Sequence, residues 1–311
     1  MMRRLLNMCA CHACVFVHCV CIVCTLLLFL SSCEKALLSV DESDEDPDGN
    51  LTVSVFQIEK TPFGSLTRGA DGSNRAATQV SEACSRLNFA IYTLDGTRVK
   101  QVNQVSTDAN FGTATFQLEA GTYQLVVVGH SASGNPTMTD PTCIKFTNAQ
   151  GYTDTYIHYE KVSVGEDKVD LQVALDRITA LCRFVLTDES IPAEVKTLRF
   201  YYTGGSGAFD AATGFGSVNS KQDVKFDVSA DNKQFDLYTF LHDTEGVIHL
   251  TVTALDASGN ELYKREFDVP MQQNYITWVS GVFFNGSGSS STTITGVTVN
   301  TDWAGETHIT F

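Results

Sequence analysis

Leu87-Asn88-Phe89-Ala90-Ile91-Tyr92-Thr93-Leu94-Asp95-Gly96 is the stretch whose reading decides the fold class. Leu87, Phe89 and Ile91 alternate with Asn88, Ala90 and Tyr92, the period of two that a strand imposes on its faces. Asp95-Gly96 is the dipeptide of a tight hairpin, so a return strand is predicted over residues 98–105.

Working outward, residues 113–118 and 123–128 predict a second strand pair around Ala120-Gly121, and residues 168–175 a strand that closes the unit. The pattern resumes at 178–186 and 197–202. Val224, Phe226 and Val228 then alternate with Lys225, Asp227 and Ser229. Residues 246–255 lead through Asp256-Ala257-Ser258-Gly259-Asn260 into 261–269. No long segment carries a helical period. Ile91-Tyr92-Thr93-Leu94-Asp95-Gly96 is echoed by Val252-Thr253-Ala254-Leu255-Asp256-Ala257-Ser258-Gly259. The expectation is an all-β chain of two related β-sandwich domains, residues 51–175 and 176–311, joined near 175–178.

Upstream, Met1-Met2-Arg3-Arg4 precedes an apolar run over residues 5–30, the plan of a signal peptide. The run ends in Leu30-Ser31-Ser32-Cys33, the Leu-small-small-Cys form of a bacterial lipobox. Cys33 is therefore the expected lipidation site and residues 1–32 the leader. Two alternatives compete. About 20 apolar residues suffice for a retained span, and Cys9, Cys11, His12, Cys14, His18, Cys19, Cys21 and Cys24 have zinc-like spacings. No carboxylates stand nearby to orient such ligands.

The chain has 311 residues, with 21 Lys+Arg against 36 Asp+Glu. Two of those cations, Arg3 and Arg4, lie in the leader. Such acidity excludes nucleic acid as a partner and adsorption to anionic headgroups, which leaves acyl chains as the link to a membrane. Of 10 cysteines, only Cys84, Cys143 and Cys182 follow Cys33. Their apolar neighbours favour buried free thiols over a disulfide framework. Residues 33–50 include Asp41, Glu42, Asp44, Glu45, Asp46 and Asp48 and are predicted to form a solvated tether. Asp44-x-Asp46-x-Asp48-Gly49 resembles the start of a calcium loop, but Val55 stands where a bidentate Glu is required.

Catalytic signatures fail one by one. Gly204-Gly205-Ser206-Gly207-Ala208 approaches a nucleophile elbow but lacks its last glycine and its strand-turn-helix setting, so a glycine-rich loop is expected. Asp256-Ala257-Ser258-Gly259 is accounted for as a hairpin turn. His130, His158, His242, His249 and His308 are scattered without ligand spacing. His130, beside Ser131 at a strand end, is expected to be a hydrogen-bonded loop histidine and not a catalytic base. Neither a metal nor a cofactor is implied, and no enzyme activity. Binding through a strand edge remains open. Residues 51–57 and 292–311 are the candidate mobile strands, with ordinary edge strands as the alternative.

Arg86-Leu87-Asn88-Phe89-Ala90-Ile91-Tyr92 with Asp95-Gly96, Gly121-Thr122-Tyr123-Gln124-Leu125-Val126-Val127-Val128 with His130-Ser131, and Tyr201-Tyr202-Thr203-Gly204-Gly205-Ser206-Gly207 carry a resemblance across the chain. With the lipobox, they resemble the fimbrillin-like surface lipoproteins of the Bacteroidales, and most closely the fimbrial anchor or minor-subunit branch. The resemblance implies two transthyretin-like β-sandwiches, export to the outer membrane, and fimbrial subunits of a type V system as partners. Stalk subunits of that kind are cut after an arginine in the N-terminal loop, and Arg68 and Arg75 are the positions that could serve. An anchor keeps its lipid on Cys33 instead. The expected function is a non-enzymatic anchor or assembly subunit that couples to pilin by strand complementation. The alternatives are a surface glycan-binding or adhesin lipoprotein using exposed aromatics and the Gly204 loop, and a polymerising pilin released by cleavage.

Overall fold

The structure, a computed structural model, describes residues 44–59, 80–147, 151–284, 293–298 and 303–311. It is a β protein throughout, and its strands divide into two sets. The first comprises β1 (Leu51–Glu59), β2 (Arg86–Tyr92), β3 (Arg98–Val105), β4 (Thr113–Phe116), β5 (Gly121–His130), β6 (Ile144–Lys145), β7 (Thr155–Val164) and β8 (Val169–Arg177), with a single turn of helix, α1 (Val80–Ala83). Hydrogen bonding runs in the order β3-β2-β5-β7-β8-β1-β4. β7 and β8 pair only at Tyr156↔Arg177 and Ile157↔Asp176, so the ribbon folds over there into two layers. Leu51, Val53, Leu87, Phe89, Ile91, Phe116, Leu125, Val127, Val173 and Leu175 fill the space between them.

The second set comprises β9 (Thr179–Leu186), β10 (Thr197–Gly205), β11 (Ala208–Phe209), β12 (Ser220–Asp227), β13 (Gln234–Phe240), β14 (Glu245–Leu255), β15 (Glu261–Gln272), β16 (Tyr275–Gly281), β17 (Thr293–Thr298) and β18 (Gly305–Thr310). Its sheets run β12-β10-β14-β15 and β13-β9-β16-β18-β17. Phe184, Phe200, Phe235, Leu250, Val252, Phe267, Val279 and Ile309 form its core, and Phe184 packs edge-on against Phe200 and Phe267.

The two sandwiches share one wiring. β3-β2-β5-β7 corresponds strand for strand to β12-β10-β14-β15, and β4-β1-β8 to β13-β9-β16, with matching parallel pairs β1–β8 and β9–β16. The internal repeat is therefore present, but the echo between residues 91–96 and 252–259 does not mark it. The first stretch leaves β2 and the second leaves β14, whose counterpart is β5. Similar hairpin chemistry produced the similarity.

A second expectation fails in a related way. Residues 113–118 and 123–128 do form strands, yet β4 and β5 are not partners. β4 pairs with β1, while β5 pairs with β2 and β7 in the facing layer. The chain at Ala120-Gly121 crosses between layers instead of turning back in one. The hairpin at Asp95-Gly96 is present as read, with Gly96 at φ 88°.

Leu125-Val126-Val127-Val128 is apolar at every position because β5 is buried on both faces. Leu125 and Val127 enter the first core, whereas Val126 and Val128, with Ala90 and Tyr92, enter a third apolar cluster with Met138, Ile144, Tyr152, Ile178, Phe209 and Phe240. That cluster joins the sandwiches. β6 pairs there with β11, and Phe146 stacks on Phe240.

Candidate functional site: sheet edges and the terminal strand

Among the described residues, His130, Ser206 and Asp256 are each held in local hydrogen bonds. His130 is the last residue of β5, at the strand end expected for it, and it is fully buried. Its Nδ1 accepts from Ala132 N (3.1 Å), which leaves the proton on Nε2 to donate to Asn88 Oδ1 (2.8 Å). Burial, with the charge of Arg86 second, holds its pKa down to about 4, so the ring is neutral. Ser206 is buried, and its hydroxyl is occupied by the backbone of Ala208 and Val218. The expected glycine-rich loop is thus folded inward, and a Cβ on Gly207 would overlap the Tyr152 hydroxyl. Gly204 itself, within β10, stays exposed. Asp256 accepts from Ser258 N and Asn260 N at 2.8 Å, the turn predicted for it. The Asn260 side-chain amide, donating to Asp256 Oδ2 at 2.9 Å, and then the Asn260 backbone N–H hold its carboxyl below the usual range. Among the described residues no group of three or more metal-ligating side chains occurs. Cys84, Cys143 and Cys182 are free thiols, the first and last buried and Cys143 half-buried.

The edges are the remaining candidates, and both predicted mobile strands are built into sheets. β1 is not an edge: it pairs in parallel with β8 and antiparallel with β4, and Leu51 and Val53 are buried. The acidic stretch before it is not a free spacer from Asp44 onward. Asp44 N donates to Gln101 O of β3 (3.1 Å), Gln101 N donates back to Asp44 Oδ2 (2.9 Å), and Asp46 N donates to Thr115 O of β4 (2.9 Å). Asn50 makes reciprocal bonds with the backbone of Leu118, both 2.9 Å. The segment closes the side of the sandwich where β3 and β4 would otherwise end two sheets. Its carboxylates bond as well: Asn110 Nδ2 donates to both Glu45 oxygens, and Asp44, Glu45 and Asp46 are half-buried while Asp48 is exposed.

At the other terminus β18 lies between β16, to which it is parallel, and β17. Ile309 enters the second core. Phe311 stacks on Phe184 (centroids 5.2 Å apart) and tilts onto Phe267 (4.8 Å). One outward row crosses four strands: Asp236 of β13, Arg183 of β9, Trp278 of β16 and His308 of β18 stand opposite one another. Arg183 is paired with Asp236 at 2.7 Å and lies 4.9 Å over the Trp278 ring, and His308 stacks beside that ring at 5.6 Å.

Trp303, just before β18, ties the terminus to the junction. The Arg177 guanidinium sits 3.9 Å over its ring, donates from Nε to Asp154 Oδ1 (2.9 Å), from Nη1 to Asn274 Oδ1 (3.1 Å) and from Nη2 to the Tyr156 hydroxyl (2.9 Å). Burial alone would lower the Arg177 pKa, but Asp154 and Tyr156 outweigh it and raise it. The Tyr156 phenol is pushed up, by burial first and Asp154 second.

Cys33, Arg68 and Arg75 lie outside the described residues, as do the leader and residues 286–291. Arg177, Trp278 and Trp303 were not singled out from sequence. The signal available was composition alone: Trp278 and Trp303 are the chain's 2 tryptophans, and a cation beside an aromatic is an ordinary pairing that carries no position.

No curated protein matches the chain. Solved structures of similar fold include a candidate adhesin from Bacteroides ovatus, 10% identical with TM-score 0.44 over 70% of this chain and 77% of that one. A fimbrial assembly protein from Parabacteroides distasonis is 16% identical with TM-score 0.39, over 78% and 93%. The fimbrial anchor protein of Porphyromonas gingivalis is 13% identical with TM-score 0.36, over 69% and 80%. Identities this low leave the function to be argued from this chain's own residues. A family profile matches residues 45–310, and by it the chain belongs to the family of unknown function DUF6562.

Proposed function

We propose that this chain is a non-enzymatic outer-membrane lipoprotein that serves as anchor or assembly subunit of a fimbria, held by acyl chains on Cys33 and coupled to pilin by strand complementation. Its two sandwiches act as two domains, divided where Ile178 separates β8 from β9. The carrying observation is the integration of β1. The chain running from Cys33 enters the body as Asp44–Asp46 bonded to β3 and β4, then as a strand of 9 residues laddered on both sides. Tension on the lipid is then borne along β1 by two ladders at once, which suits a base that must not detach. Cleavage after Arg68 or Arg75 would cut between β1 and the rest of the chain and leave the lipid on the smaller piece. The burial of residues 205–208, which leaves Gly204 alone exposed there, favours this reading over a glycan-binding one.

The test is mass spectrometry of the protein isolated from native envelopes. The expected N-terminus is acylated Cys33 with residues 68–76 intact. A terminus at Gly69 or Ala76 would overturn the anchor reading and favour a released, polymerising pilin.

A further inference from the structure

Because the two sandwiches share one wiring, a position filled in one and open in the other is informative. β16 pairs with β9 on one side and β18 on the other. Its counterpart β8 pairs with β1 from Val169 to Asp176, but on the opposite side it meets β7 only at Arg177 and Asp176. Among the described residues no strand pairs with the rest of that edge. Val169 N donates to Asn50 O on the β1 side, so alternation turns the peptide groups of Asp170, Gln172 and Ala174 outward. The Ala174 carbonyl is already capped by His158 Nδ1 at 3.0 Å, while Asp170 and Gln172 are exposed. Beside this edge Val169 and Leu171, and Tyr123 on the facing sheet, are only half-buried against the first core. At the equivalent place in the second core Ile309 is buried, with Phe311 packed beside it.

We propose that the β8 edge over residues 169–174 is an acceptor site for a strand supplied by another protein, running parallel to β8 as β18 runs parallel to β16. The inference rests on the strand-coupling function proposed above and locates it. A second copy of this chain is a poor donor, because its own β18 is held by Ile309, Phe311 and the Trp303–Arg177 stack. Nor does β1 have to leave, since the open edge lies on the far side of β8 from it. The occupant is therefore an extended segment of a fibre subunit. Its apolar residues alternate inward, over Val169, Leu171 and Tyr123, and its polar residues point out beside Asp170 and Gln172.

Gln172→Pro tests the site. It deletes one outward N–H and leaves the ladder to β1 intact, and proline is tolerated where a strand's N–H faces solvent. With the full chain expressed in its native envelope, wild type is expected to co-isolate with fibre subunits. Q172P, at an unchanged melting temperature, is expected to lower that recovery at least about tenfold. In the wild-type complex the amides of Asp170 and Gln172 should exchange hydrogen at least about tenfold more slowly than in the isolated protein. Unaltered exchange at these amides, or full recovery with a folded Q172P, would overturn the β8 site while leaving the fimbrial reading standing. If wild type brings down no fibre subunit, that reading falls and the inference with it. Should Q172P fail to fold, the exchange comparison on wild type decides.

Discussion

Gly281 is the last residue of β16, and it lies so close to Phe311 that a methyl there would overlap the Phe311 carbonyl oxygen and come within 2.8 Å of the ring carbons Cγ and Cδ2. The Gly281 backbone cannot yield easily, because its carbonyl accepts from Thr187 N at 2.9 Å. Phe311 lies just past the end of β18 and is held by one backbone hydrogen bond and its ring contacts. Gly281→Ala is therefore expected to evict Phe311 and leave β16 where it is. The loss comprises the burial of a half-exposed ring, about 1–2 kcal/mol. It also comprises two aromatic pairs of about 0.5–1 kcal/mol each and the Phe311 N to Ser280 O hydrogen bond of 3.1 Å, worth about 1 kcal/mol. Lower entropy of the unfolded alanine chain offsets about 0.5 kcal/mol. A net cost of about 2.5–4.5 kcal/mol follows, read by urea unfolding followed through tryptophan fluorescence at an unchanged m-value. Deleting Phe311 alone should cost a similar amount, and in that background Gly281→Ala should add less than about 0.5 kcal/mol. A neutral Gly281→Ala, or costs that simply add, would refute the reasoning.

Other consequences can be checked on the same protein. His130 titrates at about 4 folded against 6.5 in the unfolded chain, so the folded state binds fewer protons between those values. Its contribution is whole above pH 6.5 and is lost as pH falls through 4, about 3 kcal/mol in all. His130→Gln should flatten that part of the stability curve, and parallel curves would contradict the assignment. Arg177→Leu leaves Asp154 at the junction without its cation and is expected to cost about 3–5 kcal/mol. Arg177→Lys should fail to restore it, because one ammonium cannot reach Asp154, Asn274 and Tyr156 together, and a fully stable lysine variant would count against this. Burial pushes the Cys84 thiol up to about 12 and raises that of Cys182 as well. Maleimide should thus label Cys143 first, with the other two reacting only on denaturation, and early labelling of Cys84 would contradict its burial.

What the sequence determined by itself was local. Alternation and apolar runs placed many of the strands but not β7, β13 or β16, while Asp95-Gly96 and Asp256 to Asn260 were legible as turns because their chemistry is complete within a few residues. Pairing was not legible. Whether β5 turns back on β4 or crosses to β2 depends on which layers can cover each other's apolar faces, a property of residues far apart in the chain. For the same reason the acidic run could be taken for a free tether: its composition is that of a solvated segment, while its backbone bonds to β3 and β4 exist only once those strands stand side by side. The polar junction at Arg177 draws partners from residues 154, 156, 274 and 303, and no spacing announces it. The contrast between β16, covered by β18, and β8, open along the matching edge, is likewise a fact of tertiary structure. Sequence can say that a segment will be a strand, but only the assembled sheets decide which edges remain unpaired.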